Sequence, residues 1–127
     1  MTPQIPLVLG ELAELAIRNA APDVADGERQ TALGLTAMLL GVVAEVWDGA
    51  AHKLVEENRA IAALLDDGAA EADLRLSALR AENARLRAAL IAAHIAAETA
   101  GDTPRQAAIW AELAASTERR KLSISSI

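Results

Sequence analysis

Apolar residues along one long segment, from about residue 70 to residue 100, recur in alternating steps of three and four. This spacing lines up one face of an α-helix and is the repeat of a coiled-coil seam. The seam consists of Leu76, Leu79, Asn83, Leu86, Leu90, Ala93 and Ala97. We therefore expect a long helix that buries this face. The pattern leaves two partners open: the seam of a second copy, as in a leucine zipper, or neighbouring helices of the same chain.

Turn signals divide the chain into pieces of helical length. The predicted helices cover about 6–19, 28–47, 50–65, 70–100 and 104–121, with 122–127 as a tail. At the clearest boundary Gly101 is a stop, Thr103 and Gln106 have capping-box spacing, and Pro104 takes the first helical position. Because the 127-residue chain is also rich in alanine, we predict one all-α domain over 1–127, a four- to five-helix up-and-down bundle.

The predicted helix over 28–47 carries large apolar residues on nearly every side, which indicates burial on several faces, in a bundle centre or an oligomer interface. Gly34 and Gly41 each cost about 1 kcal/mol relative to alanine in a helix, so we expect a neighbouring helix to approach closely there. Asp48-Gly49 is a candidate break, and the pattern leaves open whether the helix continues. The residues we expect at an interface are Leu35, Leu39, Val42, Val46, Trp47, Leu79, Asn83, Leu86 and Leu90.

Charge and composition exclude several kinds of partner. The net charge is −6, from 18 acidic and 12 basic residues, and it repels phosphate backbones, so we expect no nucleic-acid partner. The chain has no cysteine and hence no disulfide or thiol chemistry. The longest uncharged stretch, Gln30–Ala44, is shorter than the roughly 17 to 25 residues of a membrane span. The start of the chain does not resemble a secretory signal. We expect a cytoplasmic protein with no membrane partner.

The two histidines are the side chains that titrate near neutrality without help. Carboxylates stand four residues from each of them, so they can share a helix face with it. The resulting candidate metal ligands are Asp48, His52, Glu56, His94 and Glu98. Carboxylate-bridged dimetal bundles use Glu-x-x-His pairs, and this chain has none, so we expect two surface histidines with local ion pairs and no metal.

Other chemistry has little support in the sequence. The chain has neither a Gly-x-Ser-x-Gly elbow nor a glycine-rich phosphate loop, so we expect no conventional enzyme and no cofactor. Four arginines on the 70–100 helix could bind a phosphate-bearing ligand, but acidic residues on the same segment favour a salt-bridged, solvated face. The arginines are Arg75, Arg80, Arg85 and Arg87. We expect Trp47 and Trp110 in a core or interface.

The order of these features resembles a family of small bacterial helical proteins of unknown function, typically encoded beside acyl-CoA dehydrogenases and phosphotransferase-like kinases. The matching features are the apolar helix Ala32–Glu45 (ALGLTAMLLGVVAE), the break at Leu64–Gly68, the Leu/Arg/Asn helix and the ending Ser116–Ser125 (STERRKLSIS). The segment Trp47–His52 departs from the family pattern. The resemblance implies an accessory role near acyl-thioester metabolism, and it supplies no catalytic residues.

Three hypotheses about function follow. The first is a non-catalytic interaction or accessory protein that self-associates or binds another protein, since buried-type residues are in excess and no catalytic constellation is visible. The second is a binding protein for a small apolar or acyl ligand, held between alanine-rich helices. The third is a metal-binding bundle that uses His52, His94 and the neighbouring carboxylates.

Overall fold

The computed structural model describes residues 4–24, 27–68 and 71–122. Every regular element in these ranges is helical, and four are α-helices, so the all-α prediction is confirmed. The chain divides into two compact units. The N-terminal unit comprises Met1–Gly49 with Leu122–Ile127, and the C-terminal unit comprises Ala50–Lys121. The predicted tail, from residue 123 on, lies outside the described residues.

Helix α1 comprises Ile5–Leu15 and continues through a π-helical turn, Ala16–Ala20, and a short 3-10 turn, Ala21–Asp23. The prediction of a helix over 6–19 therefore held in outline, but its last turn is wound more widely than an α-helix. Pro22 lies in the 3-10 turn, where its fixed φ is tolerated and its missing N–H prevents a longer helix.

Helix α2 runs without interruption over 38 residues, Glu28–Leu65. The prediction of two separate helices over 28–47 and 50–65 was therefore wrong, because Asp48-Gly49 does not break the helix. One glycine costs only about 1 kcal/mol, and the residues that follow it include Ala50 and Ala51, which favour the helix. The helix ends at Asp66, whose φ of 54° lies in the left-handed region that aspartate tolerates.

Helices α3, Leu76–Ala100, and α4, Thr103–Arg119, complete the C-terminal unit. Helix α3 begins later than the predicted residue 70, and residues 69 and 70 lie outside the described ranges. Gly101 is the left-handed cap of α3 at φ 66°, as its predicted role as a stop requires. The predicted cap of α4 was wrong by one residue: Asp102, and not Thr103, accepts the N–H of Arg105, at 3.1 Å.

The C-terminal unit has a continuous core. It forms where α3 and α4 meet the second half of α2, and it contains Ile61, Ala62, Leu86, Leu90 and Ile109. The predicted seam of α3 faces this core, with Leu79, Asn83 and Ala97 also buried. The sequence left open whether this seam packs against a second copy or against helices of the same chain. The structure shows that it packs against helices of the same chain. Truncating a core leucine such as Leu86 to alanine costs typically 2 to 5 kcal/mol.

The N-terminal unit has no comparable core among its described residues. Helix α1 has no buried residue, and Ala37 is the buried apolar residue of α2 before Gly49. The faces of the 28–47 helix that we expected to be buried are thus largely exposed within this chain. No described helix of this chain approaches closely at its glycines, since a Cβ built at Gly34 or Gly41 would meet no atom within 4 Å.

Candidate functional site

Large apolar side chains cover the surface of the N-terminal unit. Twelve of them are between 41% and 65% exposed, which is unusual for side chains of this size. They are Ile5, Leu7, Val8, Leu12, Leu15, Ile17, Leu35, Met38, Leu39, Val43, Val46 and Trp47. A surface that exposes this many large apolar side chains marks an interaction site more often than a free surface.

Helices α1 and α2 of this unit form an antiparallel hairpin. At one end Pro6 and Leu7 line a groove together with Ala44 and Trp47. At the other end Ala13 and Ile17 line a second groove with Ala37. The start of α1 is thus beside residues 44–48, and its end is beside residue 37. One face of α2 in this unit is covered by α1, and α1 does not cover the opposite face.

The face of α2 turned away from α1 carries a second apolar stripe. With 3.6 residues per turn, Leu33, Ala37, Leu40 and Ala44 share the face toward α1, and they are buried or half-buried. The opposite face carries Leu35, Leu39, Val42 and Val46, of which Val42 is half-buried and the other three are exposed. We name these last four residues the outer stripe.

The predicted interface residues therefore fall into two groups. The outer stripe and Trp47 lie on the exposed surface of the N-terminal unit. Leu79, Asn83, Leu86 and Leu90 are buried in the core of the C-terminal unit and present nothing to a partner. The spacing of apolar residues predicts only that one face of a helix is covered. It does not distinguish an interface with a partner from the core of the same chain.

The centre of the C-terminal unit holds a buried carboxylate, Glu57, which is 3% exposed. Its Oε1 accepts bonds from Asn83 Nδ2 at 3.1 Å, Arg87 Nη1 at 2.8 Å and Arg120 Nη2 at 2.8 Å. Its Oε2 accepts bonds from Ser116 Oγ at 3.1 Å and Arg120 Nε at 3.3 Å. One side chain of α2 thereby binds α3, α4 and the residue after α4.

These donors determine the charge of Glu57. Burial, the largest single influence, would raise the pKa of this carboxyl group. The hydrogen bonds from Asn83, Arg120, Arg87 and Ser116 together outweigh burial and lower the pKa from 4.5 to about 2. Glu57 is therefore ionised at neutral pH. A carboxylate of such low basicity whose oxygens are already engaged is a poor general base, so the cluster is suited to holding helices together.

Two asparagines extend this network. Asn83 Nδ2 also donates to Asn58 Oδ1 at 2.9 Å, and Asn58 Nδ2 donates to the backbone oxygen of Leu79 at 3.1 Å. Both asparagines are buried. The polar residue in the predicted seam of α3 thus has buried partners on α2, which fixes how these two helices align, because a shift of one turn would leave buried polar atoms without partners.

Sequence reasoning identified only part of this cluster. Asn83 was recognised as the polar member of the seam. Glu57 and Asn58 were missed, although they stand between Leu54 and Ile61 on an apolar stripe, and polar residues at such positions are a usable signal. Arg120 was not among the candidate site residues.

Three of the four arginines that we singled out in the segment over 70–100 are paired with carboxylates, as we expected of a salt-bridged face. Arg75 binds Asp73, Arg85 binds both Glu82 and Asp67, and Arg87 binds Glu57. Nη2 of Arg85 lies 2.7 Å from Oδ2 of Asp67. The carboxylates of Glu82 and Asp67 raise the pKa of the Arg85 guanidinium. This arrangement ties the end of α2 to α3.

The candidate metal ligands are not brought together. His52 Nε2 lies 3.6 Å from Glu56 and is on an exposed side chain, and His94 Nε2 lies 3.8 Å from Glu98. Among residues 4–24, 27–68 and 71–122, no three histidine, cysteine or acidic side chains are grouped so that they could hold a metal ion. The contacts that are present are local i,i+4 pairs, worth a few tenths of a kcal/mol each.

A small apolar groove lies between α3 and α4 beside His94. It encloses about 120 Å³, and its lining includes Leu90, Ile91, Ile95, Ile109 and Leu113. The imidazole of His94 meets the ring of Trp110 edge to face, with centroids 5.5 Å apart. Its buried Nε2 has no hydrogen-bond partner within the described chain. Trp110 is exposed, so of the two positions expected for it, a core or an interface, the structure excludes the core.

Helix α2 is the one described helix that is long and apolar enough, by length and composition, to cross a membrane. A helix that packs against protein passes the same test.

Comparison with known proteins adds no assignment: no family model, no curated protein and no solved structure matches the chain. The resemblance to the helical family encoded beside acyl-CoA dehydrogenases therefore stays a prediction.

Proposed function

We propose that this protein is a non-catalytic interaction protein whose N-terminal unit binds a protein partner through its apolar surface. The observation that carries the proposal is the exposure of twelve large apolar side chains on a unit whose described residues form almost no buried core. The C-terminal unit, by contrast, has a complete core and a buried ionic network. It therefore serves as the folded body that presents α2.

The amount of apolar surface supports a stable contact. With about half of each side chain uncovered, and a side-chain surface on the order of 150 Å², the twelve residues leave roughly 900 Å² open to water. A standard protein interface removes about 800 Å² from each partner, so a partner would have to contact both helices of the hairpin to reach that size. Covering this surface also supplies the hydrophobic stabilisation that the hairpin does not obtain from its own fold.

A protein partner fits this surface better than a lipid bilayer. Helix α1 carries Glu11 and Glu14, and α2 carries Glu45 and Asp48 within the same hairpin. Each of these carboxylates would be costly inside a hydrocarbon layer, whereas the rim of a protein interface accepts them. A cytoplasmic setting is part of the proposal. The accessory role near acyl-thioester metabolism that the family resemblance implies is compatible with it.

The test uses the double variant Leu35→Glu/Leu39→Glu, which places two carboxylates on the outer stripe. The matched control is Leu74→Glu, since Leu74 is 65% exposed and lies in the C-terminal unit. We expect the wild type and the control to form an assembly, with themselves or with a stoichiometric partner identified by co-purification from the native host. The double variant should lose that assembly while its circular dichroism stays helical. Size exclusion with light scattering measures the mass of each species.

The opposite result is equally clear. A wild-type protein that stays monomeric over a wide concentration range, with no partner whose recovery depends on Leu35 and Leu39, would overturn the proposal. A vesicle flotation assay with the same three proteins separates lipid binding from protein binding.

A second candidate function, binding of a small apolar or acyl ligand, is favoured by the groove beside His94. Its apolar lining and the buried Nε2 of His94, which makes no hydrogen bond within the described residues, suit a short apolar group that carries one polar atom. A thermal-shift screen with short acyl-CoAs and the matching free acids tests it, since a ligand that binds only the folded state raises the melting temperature. The variant Ile95→Trp, which fills the groove, should abolish any such rise.

A further inference from the structure

Arg87 and Arg120 share one carboxylate. Nη1 of Arg87 and Nη2 of Arg120 both lie 2.8 Å from Oε1 of Glu57. Asn83 and Ser116 also bind Glu57, and both are neutral. Two positive charges therefore face one negative charge, which leaves this cluster with a surplus of one positive charge. Because the side chain of Arg87 is 40% exposed, an anion from solvent can reach it.

The neighbouring cations at the end of α4 have acids of their own. Arg119 is paired with Glu112, and Nζ of Lys121 lies 2.7 Å from Oε1 of Glu118. Among the described residues at this end of the helix, positive and negative charges are matched one to one, except at the two arginines that share Glu57. An anion is therefore attracted most strongly to those two arginines.

Arg87 also lines the apolar groove between α3 and α4. Along α3 the lining extends from Arg87 to Ile95, about 12 Å along the helix axis. The groove encloses about 120 Å³. Because a cavity of about 150 Å³ holds one benzene molecule, this groove can take an apolar tail of about five carbon atoms. Arg87 uses Nη1 in its bond to Glu57, so the edge formed by Nε and Nη2 is available to a ligand.

The charges give the groove a direction. At the end away from Arg87, Nε2 of His94 lies 3.8 Å from Oε1 of Glu98. An acid group at that end would face the carboxylate of Glu98, whereas at the other end it meets the surplus positive charge beside Glu57. An anionic ligand is thus expected to place its acid group at Arg87 and its apolar tail toward Ile95.

We infer that this groove binds a short aliphatic carboxylate, with its two oxygens on Nε and Nη2 of Arg87 and a tail of about four or five carbon atoms between α3 and α4. This inference rests on the second candidate function and names its ligand class. A guanidinium edge matches a carboxylate through two parallel N–H bonds. An acyl thioester presents a neutral carbonyl in that place, so the charge favours the free acid over the acyl-CoA.

NMR titration of the full ¹⁵N-labelled chain with sodium 3-methylbutanoate tests the inference. The indole of Trp110 lies against His94, whereas Trp47 belongs to the other unit and is the internal control. We expect a saturable shift of the Trp110 indole signal alone, with a dissociation constant on the order of 1 mM. Equal shifts of both indole signals would overturn the inference.

Two analogues separate the charge from the tail on the wild-type protein. The neutral 3-methylbutanamide should bind about fivefold more weakly or worse, because it loses the charge-assisted bonds. Acetate should bind about tenfold more weakly or worse, since each buried carbon strengthens binding about fourfold. An amide that binds as tightly as the acid would overturn the inference.

Three variants locate the charge. Arg87→Gln should weaken binding of 3-methylbutanoate about tenfold or more. Arg120→Gln should weaken it about threefold, because Glu57 then neutralises Arg87. Arg80→Gln is the matched control, since Arg80 is an exposed arginine two turns earlier on the same face of α3. If Arg87→Gln proves unstable by circular dichroism, the analogues and Arg120→Gln still decide. An unchanged affinity in Arg120→Gln would contradict the surplus charge as the source of binding.

The outcomes separate the inference from the second candidate function. If 3-methylbutanamide or 3-methylbutanoyl-CoA binds as tightly as the acid, and Ile95→Trp abolishes the shift of Trp110, the carboxylate is wrong and the ligand-binding function stands. If none of these compounds moves the Trp110 signal, both fail.

Discussion

Asn83 and Glu57 meet inside the C-terminal unit, where the amide Nδ2 of Asn83 donates to Glu57 Oε1 at 3.1 Å. One residue is the polar member of an otherwise apolar seam on α3, and the other is an acid on α2, 26 residues earlier in the chain. Each side chain would be costly to bury alone. Together with Arg87, Ser116 and Arg120 they form a satisfied network that fixes the alignment of three helices.

The stability of the C-terminal unit should fall in acid because of Glu57. Its pKa is lowered from 4.5 to about 2 in the folded protein, so the carboxylate contributes stability that is fully present above pH 4.5. That contribution, about 3 kcal/mol at most, is lost as the pH falls from about 4.5 through 2. Urea denaturation between pH 7 and pH 2 measures it.

Glu57→Gln should flatten this pH dependence and lower the free energy of unfolding at pH 7 by about 2 to 4 kcal/mol, since two arginines lose their buried partner. Glu118→Gln, a change at an exposed acid paired with Lys121, is the control and should keep the wild-type slope. An unchanged slope in Glu57→Gln would contradict the network as the source.

Asn83→Ala should cost about 1 to 3 kcal/mol, because Glu57 and Asn58 each lose a buried donor. Asn83→Leu, which completes the apolar seam, should also be destabilising for the same reason. Ser77→Ala on the exposed side of α3 serves as the comparison. A double-mutant cycle with Glu57→Gln should reveal coupling, and strict additivity would show that the two side chains act independently.

Gly41→Ala should raise the free energy of unfolding by about 0.5 to 1 kcal/mol, because the helix gains a better former and the new Cβ meets no atom within 4 Å. Gly101→Ala is the opposite case: its φ of 66° is unfavourable for alanine, so the same change should destabilise. Thermal unfolding compares the two. A destabilising Gly41→Ala would mean that another chain packs closely on that side of α2.

Asp102→Ala should cost about 1 kcal/mol, because Asp102 caps α4 by accepting the N–H of Arg105. Thr103→Ala should cost less than half as much, since the Thr103 hydroxyl makes only a 3.5 Å contact with the Gly101 oxygen. Chemical denaturation of the two variants ranks them. The reverse order would indicate that Thr103, as predicted from the sequence, and not Asp102 caps α4.

Parts of the fold could be read from local pattern. The seam of α3 and the stop at Gly101 depend on residues within one helix or turn, and the structure confirms both of them. The continuity of α2 through Asp48-Gly49 was missed, because two weak helix residues are outweighed by 36 others in the same cooperative helix. The start of α3 at Leu76 was missed for a related reason: helical residues before it are present in the sequence, but Asp73 accepts the N–H of Arg75 and holds the backbone in a turn.

The ionic cluster could not have been assembled from the sequence. Glu57 and Arg120 are 63 residues apart and meet only because α2 and α4 pack in the same core. The sequence did not reveal which apolar side chains are exposed either. Leu39 and Leu86 occur in similar helical repeats, yet Leu39 faces water and Leu86 is 1% exposed. By itself the sequence determined that the chain is helical and where most helices end, because propensity, capping and periodicity act between near neighbours. Which apolar stripes are covered, and which polar groups are paired, was decided by tertiary packing, because both depend on what lies across a helix and not along it.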